Sequence, residues 1–167
     1  ILMLILVVIM LIVYFLIFLP LDSKFYFNFQ ESNLLISNYE IRDMVKEIAS
    51  NISIIINDSK YILPDLELIK SFLEFDNTNN MKYKINANDC DDFSYILYGN
   101  FLKEQYNNVS KNFSYLFGIA YGSNQNLNHA FNIFLDSKYI FYCLEPQDDI
   151  IVPCVNYTDY NIYQIIF

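Results

Sequence analysis

Hydrophobic and polar positions follow three different rhythms along this chain, and each rhythm predicts a different element. Residues 1–19 (ILMLILVVIMLIVYFLIFL) show no polar face and carry no charge, and Pro20, Leu21, Asp22, Ser23 and Lys24 follow at once. A run of about 20 apolar residues matches the hydrocarbon thickness of a bilayer. It exceeds a secretory h-region of roughly 7–15 residues, and no small-x-small cleavage site follows, so an uncleaved anchor is favoured over a signal peptide. Residues 24–38 read as a polar and aromatic connector. In 39–50, Ile41, Met44, Val45 and Ile48 recur at the spacing of an amphipathic helix. A second helix is predicted from Pro64, a suitable first-turn residue, to about Phe75. The segment Asp76–Asn80 (DNTNN) is a loop by composition. Asn88 or Asp89 caps a third helix that starts beside Cys90, carries Phe93, Ile96, Leu97 and Phe101 at helical spacing, and ends near Tyr106. From there the period changes. Phe113–Tyr121, Asn128–Leu135, Tyr139–Glu145 and Ile150–Val155 are short β-branched and aromatic runs between turn-like residues, which predicts an antiparallel meander.

Helices followed by strands give an α+β domain. The division expected is a membrane anchor or signal segment over 1–21, a connector over 22–38, and one folded domain over 39–167. A single-pass membrane placement with the domain outside the cytosol follows, with residues 1–19 as the membrane contact; secretion after cleavage of the N-terminal segment is the alternative. The net charge of −9 leaves no basic stripe to neutralise phosphates and excludes nucleic acid as a partner. The abundance of Asn, Ile, Tyr and Phe has the character of coding bias, which devalues the several N-x-S/T sequons. The three cysteines are an odd set. In an exported chain they suggest one disulfide and one free thiol, with Cys143 and Cys154 in neighbouring strand-like segments and Cys90 left over. Two buried thiols explain the same count.

Cys90 lies where a helix begins, and unpaired N–H groups with a partial positive charge favour a thiolate there. The only histidine, His129, sits in the second strand of the meander. A turn centred on Ser137 makes cross-strand partners sum to 274, which sets His129 opposite Glu145. Opposed side chains share a face, with Cβ atoms about 4.5–5.5 Å apart. A carboxylate so placed fixes the tautomer of the imidazole and stabilises its protonated form. Cys90 as nucleophile, His129 as base and Glu145 as orienter complete the logic of covalent catalysis. A one-residue slip would send Glu145 to the other face.

The segments N-D-C-D-D-F-S at 88–94, N-H-A-F-N at 128–132 and L-E-P-Q at 144–147 resemble the Cys, His and acid boxes of papain/transglutaminase-like cysteine proteinases. They are most similar to the papain-like protease domain at the C-terminus of the fairy-ring mushroom agglutinin, over roughly residues 85–150. That resemblance implies a papain/transglutaminase-like core, with the nucleophile at a helix start packed on an antiparallel sheet. It also implies a thiol-dependent hydrolase of peptide or isopeptide bonds acting through an acyl-enzyme on a peptide or protein substrate, with Gln147 as an auxiliary polar residue after the acid. Two alternatives stand beside it: a catalytically silent transglutaminase-like binding module at the membrane surface, and a transamidating enzyme.

Asp89, Asp91 and Asp92 oppose a thiolate at Cys90, since like charges raise its pKa. Ordinary helix capping explains such residues. The sharper reading is a divalent cation: the triad requires no cofactor, yet Asp91 and Asp92 can begin an oxygen shell for Ca²⁺. The fungal domain in the resemblance is calcium-dependent, which points the same way. No EF-hand pattern is present, and one His with scattered Cys offers no zinc spacing.

Overall fold

The computed structural model describes residues 34–48, 51–108 and 112–167. Residues 1–21, expected to anchor the chain, lie outside the described residues. Among the described residues no helix is long and apolar enough to cross a membrane. The single-pass membrane placement rests on residues outside the described ones and is not carried further.

A short strand β1 (Leu35–Ser37) runs straight into helix α1 (Asn38–Ile48). Ser37 and Glu40 make the entry: the Glu40 carboxylate accepts the Ser37 N–H at 2.8 Å and its hydroxyl at 2.6 Å, while Ser37 Oγ accepts the Glu40 N–H at 3.3 Å. This reciprocal box satisfies donors that the first turn leaves unpaired. Strands β2 (Ser53–Ile55) and β3 (Lys60–Ile62) follow, then helix α2 (Leu66–Leu73), a 3-10 turn at Thr78–Asn80, and the long helix α3 (Cys90–Asn108). The rest is β4 (Phe117–Ser123), β5 (Asn128–Leu135), β6 (Phe141–Glu145), β7 (Ile150–Pro153), a 3-10 turn at Cys154–Asn156 and β8 (Asn161–Ile166).

The main sheet has six strands in the order β2-β8-β4-β5-β6-β7, and β1 pairs with β3 in a separate two-stranded ribbon. The expectation of a wholly antiparallel sheet under N-terminal helices is corrected in two respects. The sheet is mixed, because β2 pairs with β8 in parallel. The N-terminal half supplies three strands as well as helices, and β1 extends the folded unit into the segment expected to be connector. Three-residue strands such as SII and KYI are too short to show a period, so the alternation that revealed β4–β7 was absent there.

Side-chain alternation on the central strands divides the core in two. Ala120, Phe131, Ile133, Leu135, Phe141 and Cys143 face α1 through Ile41 and Val45. Phe117, Phe134 and Leu144 face α2 and α3 through Ile69, Phe72, Leu97 and Phe101. Both sheet faces are therefore covered, and β4 and β5 read as nearly continuous apolar runs for that reason. Cys143 and Cys154 form a disulfide with Cα atoms 5.1 Å apart, fastening β6 to the turn after β7.

Gly118 is fixed by contact rather than by conformation. A Cβ there would lie 2.2 Å from the Ile166 carbonyl oxygen and 2.7 Å from Phe167 Cδ1, where β8 crosses close over β4. Gly118→Ala is expected to lower unfolding free energy by about 2 kcal/mol or more, since backbone cannot yield cheaply. Gly99→Ala on α3, with nothing within 4 Å of the added carbon, is expected to raise it by roughly 0.5–1 kcal/mol. Urea denaturation of the two variants beside the parent checks both signs.

Candidate functional site

The hairpin that carries His129 and Glu145 has a different register from the one expected. Leu135 pairs with Phe141, Ile133 with Cys143 and Asn132 with Leu144, so partner numbers sum two higher than a turn centred on Ser137 would give. The cause is a longer turn. Asp136 Oδ1 accepts the N–H groups of Lys138 at 3.0 Å and Ile140 at 2.9 Å, Tyr139 takes a positive φ of 61°, and the Asp136 N–H closes onto the Ile140 carbonyl at 3.0 Å. A shift of two leaves every side chain on its original face. His129 and Glu145 are thus diagonal neighbours rather than direct partners, and His129 Nε2 lies 2.6 Å from Glu145 Oε2. Both are largely buried, at 13% and 19% exposed. Gln147 Nε2 donates to the other carboxylate oxygen, Glu145 Oε1, at 3.1 Å. The carboxylate is held from two sides.

Two residues that sequence reasoning passed over complete this face. Tyr160 stacks on the His129 ring with centroids 4.9 Å apart. It fits there because the strand position paired with His129 is Gly122, whose Cβ would fall 2.9 Å from Tyr160 Cβ. A lone Gly inside a strand pattern was the available signal for such a close approach. Beneath them Tyr157 packs on Phe131 at 4.5 Å. Burial, and after it the negative charge of Glu145, pushes the Tyr157 phenol well above its usual range, so it stays a neutral group.

Cys90 opens α3 as expected from its surroundings, half-buried and without a disulfide partner. Asp92 Oδ2 accepts the Asp89 N–H at 3.1 Å, the reach of a third-position carboxylate back to the cap residue. Asp89 Oδ2 accepts the N–H of Asn86, which has φ 60°, at 3.0 Å. Asp92 is thereby spent on capping, and the acidic group that gathers around Cys90 is Asp89 with Asp91. Their mutual hydrogen bond holds Asp91 above the ordinary carboxylate range and Asp89 below it.

The residues expected as a triad sit on three elements, His129 on β5, Glu145 on β6 and Cys90 at the first residue of α3. His129 continues the row of Phe131, Ile133 and Leu135 that faces α1. Helix α3 is fixed against the opposite face, where Asn132 Nδ2 donates to the Ser94 carbonyl at 3.0 Å and to the Gly118 carbonyl at 3.1 Å. The Tyr121 and Tyr95 hydroxyls meet at 2.7 Å one strand over. Among the described residues, no hydrogen bond joins Cys90 to His129 or Glu145. What the structure brings together is His129, Glu145, Gln147 and Tyr160: an aromatic surface beside a fixed carboxylate and a side-chain amide. Such a surface can stack on an apolar ring face and accept hydrogen bonds from hydroxyl groups.

Comparison with known proteins bears on what that surface is. A search of curated proteins returns no match. Among solved structures, one described as the PSL1a-E64 complex superposes with a TM-score of 0.74 at 22% identity, over 81% of this chain and 51% of that one. A second is Polyporus squamosus lectin bound to the human-type influenza-binding epitope Neu5Aca2-6Galb1-4GlcNAc, with a TM-score of 0.72, 22% identity, and 81% and 50% coverage. The chain spans about half the length of these relatives, and at that identity the likeness is one of fold. The matching family model is Agglutinin C-terminal, over residues 61–151. These findings correct the assignment to papain/transglutaminase-like cysteine proteinases, the core expected from it, and the thiol hydrolase or transamidating enzyme read from it. The fold is shared with part of a Polyporus squamosus lectin chain, and among the described residues no hydrogen bond joins Cys90 to the His129–Glu145 pair. With more than half of its 167 residues matched, the chain belongs to the Agglutinin C-terminal family.

Proposed function

We propose that the chain is a carbohydrate-binding module whose ligand surface is built on His129, Glu145, Gln147 and Tyr160. The supporting observation is the hydrogen-bonded run Gln147–Glu145–His129 beneath the Tyr160 ring. It fixes acceptors and a stacking face in advance, which lowers the ordering cost of binding a flexible polar ligand. Family membership and the glycan bound to the Polyporus squamosus lectin support the same ligand class.

Electrostatics narrows the class. Glu145 is acidic, and the chain carries a net charge of −9. An anionic sugar would be repelled on approach, so neutral oligosaccharides rather than sialylated ones are the ligands favoured here. Calcium belongs to the proposal at one point. Carboxylate oxygens of Asp89 and Asp91 lie within 4.8 Å of each other, and a hard cation can bridge such a pair. The Cys90 sulfur beside them is too soft to serve as its ligand.

Titration of immobilised neutral glycans with the chain is expected to show saturable binding. His129→Ala and Tyr160→Ala should each weaken it about tenfold or more, equal to roughly 1.4 kcal/mol. Cys90→Ser should leave it within about twofold. Absence of binding across a glycan panel, together with Cys90-dependent cleavage of a peptide, would overturn the reading. Added Ca²⁺ is expected to raise the melting temperature of the parent chain and not that of Asp91→Ala, because ligand binding to the native state alone stabilises it. Equal shifts in both would remove Asp91 from the cation site.

A further inference from the structure

We propose that Asp149 and Asn79 form a proton-operated latch that ties the 146–149 turn to the 78–80 turn and so steadies Glu145 and Gln147. The two residues lie 70 positions apart, and Asn79 Nδ2 donates to Asp149 Oδ2 in a short hydrogen bond. Their other oxygens, Asn79 Oδ1 and Asp149 Oδ1, are both buried and have no hydrogen-bond partner. Two acceptors cannot satisfy each other. A single proton on Asp149 Oδ1 changes that, because a protonated carboxyl donates where an ionised one only accepts. The acid and the amide then make two complementary hydrogen bonds, and both orphaned oxygens are used.

The surroundings favour that proton. Burial, then the negative charges of Asp76 and Asp148, pushes Asp149 up to about 6, against the opposing pull of the Asn79 amide. Asp76 lies just past the end of α2. Its two oxygens already accept the Thr78 N–H and the Asn100 amide, each at 2.7 Å. Asp148 lies within the same turn as Asp149 and accepts the Ile150 N–H at 3.1 Å. On the α3 side, Asn100, Lys103 and Glu104 line the cavity that Asp76 shares. Asp149 also has a φ of 61°, and its N–H closes the turn onto the Glu145 carbonyl at 2.9 Å. The turn that holds the latch therefore begins at Glu145 and contains Gln147.

The sign follows from linkage. A carboxyl held above its unfolded value binds its proton more tightly in the native state. Its stabilisation is complete below the ordinary carboxylate range and is lost as pH rises through about 6. The latch closes in mild acid and loosens above neutrality.

Melting temperatures of the parent and Asp149→Asn, taken from pH 5 to pH 8, test it. The amide variant tolerates the positive φ and keeps both a donor and an acceptor facing Asn79. Asp149→Asn is expected to exceed the parent by several degrees at pH 8 and to match it at pH 5, and the same pH-dependent difference should persist on a His129→Gln background. A constant difference at all pH values would overturn the latch. So would a pH 8 stabilisation by Ca²⁺ that persists in Asp91→Ala and is lost in Asp149→Asn, since a metal would then replace the proton at Asp149. If Asp149→Asn does not fold, NMR titration of the parent's Asp149 carboxyl carbon decides: a midpoint near 6 supports the latch, and one near the ordinary value of about 3.9 refutes it. None of these measurements involves a glycan, so the latch and the carbohydrate-binding reading can fail separately.

Discussion

The alternation of side chains along β4 and β5 is the constraint on which the rest depends. These strands lie in the middle of a six-stranded sheet with helices on both faces, so each residue must suit one core or the other. Shifting either strand by one residue would exchange the two sets and expose both. The same parity decides which polar residues can meet. His129 and Glu145 belong to the α1 side, while Asn132 and Tyr121 belong to the α3 side, with Asn132 the buried amide that fixes the long helix in place. The functional surface is thus a by-product of packing: where β5 leaves the core at its first residues, the apolar row facing α1 gives way to an imidazole.

Parity also explains how much of the site could be read from the sequence. The strands around His129 and Glu145 alternate clearly enough to be placed, and the face they share survives an error of two in register. The register itself was not legible, because it is set by Asp136. That side chain organises a five-residue turn through bonds to Lys138 and Ile140, and nothing in D-S-K distinguishes it from a tighter one. The start of α3 beside Cys90 was visible through its cap, yet the division of labour among Asp89, Asp91 and Asp92 was not, since any of the three suits a first turn. Tyr160 and Gly122 were out of reach for a different reason. Their contact joins β8 to β4, and β8 crosses into the middle of the sheet from the far end of the chain. Short-range periodicity carries no information about that crossing.

The reading of a catalytic triad shows where motif logic and strand physics part. Order and spacing of the Cys, His and acid boxes are one-dimensional facts, and they correctly bring His129 to Glu145. They do not say on which side of the sheet the helix bearing Cys90 packs. That is settled by the apolar residues of α3, Leu97 and Phe101, whose partners Phe117 and Phe134 are on the face opposite His129. A few core residues therefore fix where the helix bearing Cys90 packs.

Excess acid gives the structure its remaining tension, and it is handled differently at each place. Glu145 is held locally by hydrogen bonds to an imidazole and a side-chain amide. At Asp89 and Asp91 a mutual hydrogen bond holds the second above the ordinary carboxylate range and the first below it. Asp149 feels the negative charges of Asp76 and Asp148 and has one buried oxygen without a hydrogen-bond partner. Burying a carboxylate without a partner costs more than burying a neutral acid. That makes Asp149 the place where the surplus of charge is least compensated. It occupies the turn that follows Glu145, so the least compensated charge in the described structure is also mechanically closest to the surface proposed to bind ligand.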